Sequence, residues 1–146
     1  MIANREAREY DCGLGYPVLV PPGYPLDEQS GDTNVLHARI AHAVALRPGP
    51  LTGKEVRFLR ENLGLTPEEL SERIDFPTDL IRACESGNGI VPRESDVEIR
   101  RLVFTHHDLT IPSFAALYAL YGSIDPGHFM VTVCLHRSAL GTQVAA

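Results

Sequence analysis

Two helix-start signals of the same kind lie fourteen residues apart in the middle of the chain, TGKE at 52–55 and TPEE at 66–69. In this capping-box pattern the Thr oxygen and the Glu carboxylate each accept a backbone N–H at the start of a helix. Pro67 strengthens the second signal, because the missing N–H of proline costs nothing at the first helical position. The spacing predicts two helices, the first of which ends at Gly64.

A third helix is predicted directly after a break. Pro77 disfavours a helical conformation at the residue before it, so the second helix ends at about Asp75. The next helix spans about residues 78–86 and is closed by Gly87, and a longer helix covers about residues 93–104. Two short helices between two longer ones are typical of a domain that places one helix in the major groove of DNA.

The run LTPEELSERIDFPTDLIRACESG at 65–87 resembles the helix-turn-helix of the phage-repressor (xenobiotic response element) family. The matching positions are Leu65, Thr66, Glu69, Leu70, Phe76, Ile81, Glu85 and Gly87, with Ser71 as the small residue where the two helices cross. PGPLTGKEVRFLRENLGL before this run, LHARIA at 36–41 and YDCGL at 10–14 extend the resemblance to YgiT/MqsA-type antitoxin-like regulators, over about residues 8–104. The resemblance implies a DNA-binding repressor that also binds a cognate toxin through its N-terminal region.

Three positions depart from the family pattern. Pro67 stands where the family often has a Gln that anchors the helix to a phosphate. Asp75 replaces the glycine of the turn, where a left-handed conformation is harder for a residue with a side chain. Pro77 replaces the Ser or Thr that caps the recognition helix.

The outer side of the helix that begins at Thr78 is the predicted base-reading surface, formed by Thr78, Asp79, Arg82 and Ala83. Arg82 can bind a guanine with two hydrogen bonds, and Asp79 can accept one from a cytosine amino group. The predicted phosphate contacts are Thr66 at a helix N-terminus and the side chains of Lys54, Arg57, Arg60, Asn88 and Arg93. The alternative for each arginine is a solvated surface charge paired with a neighbouring acid.

The charge of the chain leads to a second functional hypothesis. The net charge is −6, and residues 49–104 carry eight Lys and Arg against eleven Asp and Glu. Because phosphate neutralisation supplies most non-specific affinity for DNA, this balance predicts weak binding by a monomer and favours a dimer on two half-sites. The alternative is a protein-interaction module on a helix-turn-helix scaffold that has lost DNA readout.

The flanking segments predict a small hairpin at one end and a helix followed by a strand at the other. Residues 9–12 and 16–20 form the hairpin, residues 21–33 a loop, and a helix capped by Asn34 runs to about Leu46. In the C-terminal segment we expect a helix at 112–122, an alternating strand from Phe129 to Leu135, and a frayed tail after Arg137. Residues 112–137 are predicted to form the homodimer interface by packing and strand pairing.

The predicted fold class is therefore mainly α: a helix-turn-helix domain of four to five helices, an N-terminal β hairpin and a C-terminal helix-strand appendage. The domain boundaries are 1–48, 49–104 and 105–146, with RPGP at 47–50 as the main internal boundary.

Several classes of function are not expected. No apolar stretch approaches the roughly 20 residues of a membrane helix, and MIANREAREYD lacks the apolar region of a secretory signal, so we expect a cytoplasmic protein without a membrane partner. The three cysteines form no C-x-x-C pair, and the histidines, taken as surface or capping residues, lack metal-ligand spacing, so neither metal nor cofactor is expected. We expect no catalysis, since no Gly-rich phosphate loop, Ser-His-Asp order or paired-carboxylate motif occurs.

Overall fold

The computed structural model describes residues 8–20, 32–123, 130–133 and 142–145. In chain order these residues form β1 (Arg8–Tyr10), β2 (Val18–Val20), α1 (Asp32–Ala45), α2 (Gly53–Asn62), α3 (Pro67–Ile74), α4 (Thr78–Glu85), α5 (Arg93–His106), α6 (Phe114–Tyr121), β3 (Met130–Val133) and β4 (Thr142–Ala145). The described part of the chain is therefore mainly helical, with a small antiparallel hairpin at its N-terminal end. None of its helices combines the length and the apolar character needed to cross a bilayer.

Both predicted capping boxes form. At the start of α2 the Thr52 hydroxyl accepts the Glu55 N–H at 3.1 Å, and the Glu55 carboxylate accepts the Thr52 N–H at 2.8 Å. Thr66 and Glu69 repeat the same exchange at the start of α3, at 3.1 and 2.8 Å. These reciprocal bonds satisfy N–H groups that would have no partner inside the helix, which is why the sequence locates both helix starts correctly.

Left-handed residues end α2, α3, α4 and α5. Their φ angles are +74° at Gly64, +54° at Asp75, +88° at Gly87 and +56° at Asp108. At the end of α4 the N–H of Gly87 donates to Cys84 O and that of Asn88 donates to Ala83 O, the two bonds of a Schellman motif. The predicted helix ends at Gly64, Asp75 and Gly87 are confirmed.

Two predicted helix starts are wrong. Asn34 was predicted to cap α1, but this helix begins at Asp32 and Asn34 lies in its first turn. In the C-terminal helix the cap is Ser113, whose hydroxyl accepts the Ala116 N–H at 3.1 Å, so α6 begins at Phe114 rather than at 112.

The strands form one sheet in the order β1-β2-β3-β4. β1 and β2 pair antiparallel, with Arg8 opposite Val20, which confirms the N-terminal hairpin. β3 pairs with β2 in parallel and with β4 in antiparallel orientation. The tail predicted to fray therefore contains a strand, and the C-terminal strand joins the hairpin. The ends of the predicted strand, Phe129 and Leu135, lie outside the described residues.

One hydrophobic core connects the three predicted segments. Its buried members include Val18 on β2, Ile40 on α1, Leu59 on α2, Val103 on α5 and Leu117 on α6. The loop between α1 and α2, predicted as the main boundary, is itself buried at Arg47, Gly49 and Leu51. The division into three domains stays a prediction.

A buried ion pair holds one side of this loop. Arg47 is 2% exposed and donates to the fully buried Glu55 at 2.5 and 2.8 Å, and to Pro48 O at 2.6 Å. The Tyr16 hydroxyl donates to the same carboxylate at 2.7 Å. Glu55 therefore links the N-terminal turn, the loop and α2 into one polar network. An unpaired buried charge is very costly, so Arg47 and Glu55 each need the other as a partner.

A second buried pair holds the other side of the loop. Arg100 on α5 donates to Asp96 at 2.6 Å, to Arg47 O at 2.8 Å and to Gly49 O at 2.6 Å. Asp96 in turn accepts the Leu51 N–H at 2.8 Å. Burial raises the pKa of Asp96, and Arg100 opposes that rise. The two pairs satisfy backbone carbonyls that the loop would otherwise bury without partners.

Candidate nucleic-acid interface

A three-residue turn, residues 75–77, joins α3 to α4. Ser71 holds this turn from α3: its hydroxyl donates to Phe76 O at 2.6 Å, and its carbonyl accepts the Phe76 N–H at 3.3 Å. Phe76 is half-buried against the hydrophobic core. The small polar residue expected where the helices cross therefore fixes the path of the chain into α4.

The outer face of α4 is accessible over its first two turns. Ile81 and Cys84 are buried, whereas the side chain of Asp79 is 98% exposed and that of Arg82 is 53% exposed. Thr78 and Ala83 are half-buried. All four predicted base-reading residues thus lie on one short helix, with Asp79 and Arg82 projecting furthest.

Arg82 has acidic partners on both sides. It forms an ion pair with Glu68 in the first turn of α3, and its Nη1 lies 4.0 Å from the Asp79 carboxylate. A backbone N–H at the start of α3 lowers the pKa of Glu68, and Arg82 lowers it further. Glu68 is therefore negative at neutral pH. Since exposed pairs of this kind contribute little free energy, Arg82 can exchange Glu68 for another acceptor.

At the N-terminus of α3, the groups of Thr66 that were predicted to contact a phosphate already have hydrogen-bond partners. The Glu69 carboxylate already accepts the Thr66 N–H, and the Thr66 hydroxyl already accepts the Glu69 N–H. Two acidic residues, Glu68 and Glu69, thus lie in the first turn, where the positive end of the helix dipole attracts anions. A phosphate that approached Thr66 would meet these carboxylates.

Arg60 is tied to the protein itself. It binds Glu85 through two hydrogen bonds of 2.7 and 2.9 Å and donates to Leu65 O at 3.0 Å, and both side chains of the pair are about nine-tenths buried. The hydrogen bond to Glu85 raises the pKa of Arg60. This geometry favours the alternative of an acid-paired arginine, here joining the end of α2 to the end of α4.

The other predicted phosphate contacts are exposed but lie in two places. Lys54 and Arg57 line one cavity beside Glu85, at the end of α4, and Arg57 pairs with Glu61 at 3.3 Å. Arg93 lies over the Tyr118 ring of α6, 5.2 Å from its centre. Asn88 is exposed in the loop after α4. The structure thus brings Lys54 and Arg57 towards the end of α4, whereas Arg93 packs towards α6.

The helix pair carries more acid than base. Residues 66–86 contain six carboxylates and two guanidinium groups, those of Arg73 and Arg82. Arg73 lines a cavity with Thr105 and His106 at the end of α5, whereas Arg82 pairs with Glu68 at the opposite end of α3. Arg82 is therefore the one arginine of this pair on the outer face of α4.

Two exposed apolar side chains near α4 are not marked by any charge or motif in the sequence. Leu80 on α4 is 49% exposed, and Ile90 in the following loop is 61% exposed. An apolar side chain on a DNA-contacting helix can pack on a thymine methyl group, and in a protein interface it can fill a pocket. Helical periodicity contained the signal, because Leu80 lies about 100° around the helix from the buried Ile81, at the edge of the buried face.

The histidines were predicted at surface or capping positions. His107 is the C-cap residue of α5, and three of the four described histidines also have partners in the fold. His37 Nε2 lies 2.7 Å from the Tyr10 hydroxyl, and His107 Nε2 lies 2.8 Å from Asn62 Oδ1. His42 packs its edge on Phe104, and burial lowers the pKa of His42. Among the residues described here, no three His, Cys, Asp or Glu side chains form a group suited to a metal ion.

The geometry of α3 and α4 thus provides an accessible helix face with one cation and no identified ligand. Arg60 is bound to Glu85, Thr66 is engaged in the exposed capping box of α3, and Arg82 is held by a weak exposed pair. Compared with models of known protein families, with curated proteins and with solved structures, the chain matches none of them.

Proposed function

We propose that this chain is a sequence-specific DNA-binding transcriptional regulator, an antitoxin-like repressor of the phage-repressor helix-turn-helix type that acts as a homodimer. One observation carries the proposal: α4 follows α3 through a short turn and leaves Asp79 and Arg82 accessible. A helix presented in this way can enter a major groove, where Arg82 would bind guanine. This role requires no catalytic group. As an antitoxin-like protein, the chain would also bind a cognate toxin through its N-terminal region.

Binding to DNA from upstream of the protein's own coding sequence tests this function. Fluorescence anisotropy at increasing salt is expected to show a steep loss of affinity, because phosphate contacts release counterions. Arg82→Ala is expected to reduce the preference for that DNA over a shuffled sequence by about tenfold, the loss of one two-bond contact to a base. Arg73→Ala is the matched control, since it removes a cation from the same helix pair on the side of α5. Equal effects of the two substitutions would contradict base reading by Arg82.

The second candidate is a protein-interaction module that has lost DNA readout. It is favoured by the carboxylates at the start of α3 and by the exposed Leu80 and Ile90. A module of this kind would bind no DNA at low salt, and Arg82→Ala would change nothing in the anisotropy experiment. The same titration therefore separates the two candidates.

The proposed dimer contact is the outer face of α6. This helix contains only apolar and aromatic residues, FAALYALY, yet Leu117 is its one buried residue. Phe114 is 51% exposed, although Arg101 lies 4.6 Å from its ring centre, and the nearby Ile111 is 40% exposed. β3 is already paired on both sides, so the strand pairing expected between copies is not available to it.

Light scattering of the whole chain tests the contact. Phe114→Asp is expected to convert the dimer to a monomer, because a charge at the centre of an apolar interface must be desolvated. Leu80→Asp, which places the same charge on an exposed apolar position of α4, is expected to leave the mass unchanged. A Phe114→Asp protein with the wild-type mass would exclude α6 as the interface.

A further inference from the structure

A cavity of about 360 Å³ lies between the end of β1 and α2. Its described lining includes three rings, those of Tyr10, His37 and Phe58, and two carboxylates, those of Asp11 and Glu61. This volume lies within the range of about 300–1,000 Å³ that is typical of sites for small molecules. Nothing in the proposed DNA-binding function uses this cavity.

The three rings form one connected cluster. His37 packs its edge against Phe58 at a centroid distance of 5.7 Å, and Tyr10 is tilted against His37 at the same distance. The Tyr10 hydroxyl and His37 Nε2 are hydrogen-bonded at 2.7 Å. Such contacts fix the rings relative to one another, so the cavity has aromatic walls that are in place before any ligand enters.

The two carboxylates give the cavity a negative charge. Asp11 is exposed and uses one oxygen to accept the Gly13 N–H at 2.9 Å. Glu61 is 56% exposed and its pair with Arg57 is an exposed contact of 3.3 Å, which is weak in water. Among the described residues that line this cavity, none is a lysine or an arginine.

A neighbouring cavity of about 370 Å³ is less negative, because its lining holds two cations as well as two carboxylates, Glu61 and Glu85. It shares Cys12, Phe58 and Glu61 with the first, but Lys54 and Arg57 line it as well. Because Lys54 and Arg57 offset these carboxylates, a positively charged group is attracted more strongly to the cavity beside Tyr10 and Asp11.

From this arrangement we propose that the cavity beside Tyr10, His37 and Phe58 binds a small organic cation, an alkylammonium group placed between aromatic rings and the carboxylates of Asp11 and Glu61. Ring faces attract ammonium groups through their quadrupole, and nearby carboxylates add direct charge attraction. Burial and the Asp11 carboxylate raise the pKa of Cys12 to about 12, so this thiol is neutral at pH 7.

A charged probe and its uncharged analogue test the proposal. Choline carries a trimethylammonium group, and 3,3-dimethylbutan-1-ol has the same shape with carbon in place of the charged nitrogen. In NMR titrations of the whole chain at constant ionic strength, choline is expected to shift the amides of residues 10–12 and 58–62 in a saturable manner. The alcohol is expected to bind at least about fivefold more weakly, because it lacks the charge.

Two conservative substitutions locate the charge contacts. Asp11→Asn keeps an oxygen for the Gly13 N–H, and Glu61→Gln keeps the shape of the side chain, and each is expected to weaken choline binding about threefold to fivefold. Glu72→Gln, which removes one exposed carboxylate from α3, is the control and is expected to change nothing. The proposal is overturned if choline gives no saturable shift at these residues, if the alcohol binds equally well, or if all three variants bind choline like the wild type. These measurements contain no DNA, so their outcome is independent of the proposed regulator function.

Discussion

Single residues decide how the charges of this chain are used. Arg47 and Arg100 are almost fully buried. Each binds a helix carboxylate and, in addition, backbone carbonyls of the loop between α1 and α2. Arg82 instead remains on the surface with Glu68. The planar guanidinium group, with five donors, suits both tasks, and only the fold determines which arginine is structural.

Tyr16 makes the stability of the fold depend on pH in the alkaline range. Burial and the adjacent Glu55 carboxylate raise the pKa of Tyr16 well above its ordinary value. In the unfolded chain a tyrosine ionises near pH 10, whereas Tyr16 in the folded protein keeps its proton there. The contribution of Tyr16 to stability is therefore complete below pH 10 and is lost as the pH rises above 10.

We expect Tyr16→Phe to change the alkaline pH dependence of unfolding. Between pH 10 and 11 the free energy of unfolding of the wild type should fall about 1 kcal/mol more than that of the variant, because over this interval the unfolded tyrosine goes from half to almost fully ionised while Tyr16 in the folded protein keeps its proton. At pH 7 the variant should be less stable by about 1–3 kcal/mol, because a buried carboxylate loses a donor. Urea unfolding at several pH values measures both effects. Tyr118→Phe is the control. If the free energy of unfolding of Tyr16→Phe changed with pH as steeply as that of the wild type, the pKa of Tyr16 would not be raised in the folded protein.

At the scale of the elements, a close contact of backbones fixes α2 against α4. A Cβ atom on Gly53 would lie 1.9 Å from Cys84 O, a distance that no real contact reaches. Glycine is therefore required in the capping box of α2 because α4 ends directly against it, and the same approach brings Arg60 within reach of Glu85.

Gly53→Ala is expected to destabilise the fold by about 2 kcal/mol or more, since α4 must move away from α2 to admit the methyl group. Thermal unfolding followed by circular dichroism measures the loss. Gly122→Ala is the matched control: its added Cβ would lie 3.7 Å from Tyr118 O and 4.0 Å from Ala119 O, ordinary contact distances, and stability should change by a few tenths of a kcal/mol. Equal unfolding temperatures for the two variants would show that α2 and α4 do not approach as described.

The first turn of α3 bears on the proposed DNA affinity. Glu68 holds Arg82 and adds negative charge beside the outer face of α4. Glu68→Gln should release Arg82 and remove a charge that repels phosphates, so we expect upstream DNA to bind about threefold to tenfold more tightly at low salt. Glu98→Gln, which breaks the comparable pair with Arg101 on α5, is the control for anisotropy measurements. Weaker binding by Glu68→Gln would mean that Glu68 itself contacts the DNA.

Across the whole molecule, the sequence predicted features that depend on neighbouring residues, such as helix starts, but not contacts between distant parts of the chain. Thr52 and Thr66 marked helix starts because a cap needs only residues within one turn of the helix. The sequence did not reveal that Arg60 binds Glu85, 25 residues away, or that Arg82 binds Glu68, 14 residues away. Such pairs depend on how helices pack, and hydrophobic periodicity gives the buried face of each helix without giving its neighbour.

The sheet shows the same limit. The alternating run near Val131 predicted a strand, but nothing in it indicates that β2, more than a hundred residues earlier, is its parallel partner. β4 was missed because its four residues, TQVA, carry too little pattern to distinguish a strand from a tail. The cavity beside Tyr10 and Phe58 was missed for a related reason, since β1 and α2 contribute its walls from distant parts of the chain.

An NMR titration of the chain with its upstream DNA and with a shuffled duplex shows whether the outer face of α4 contacts the bases of DNA. We expect the amides of residues 78–83 to show the largest shifts with the upstream DNA, smaller shifts with the shuffled duplex, and no such difference in Arg82→Ala. Shifts that avoid residues 78–83, or that are identical with both duplexes in the wild-type protein, would exclude base reading by α4.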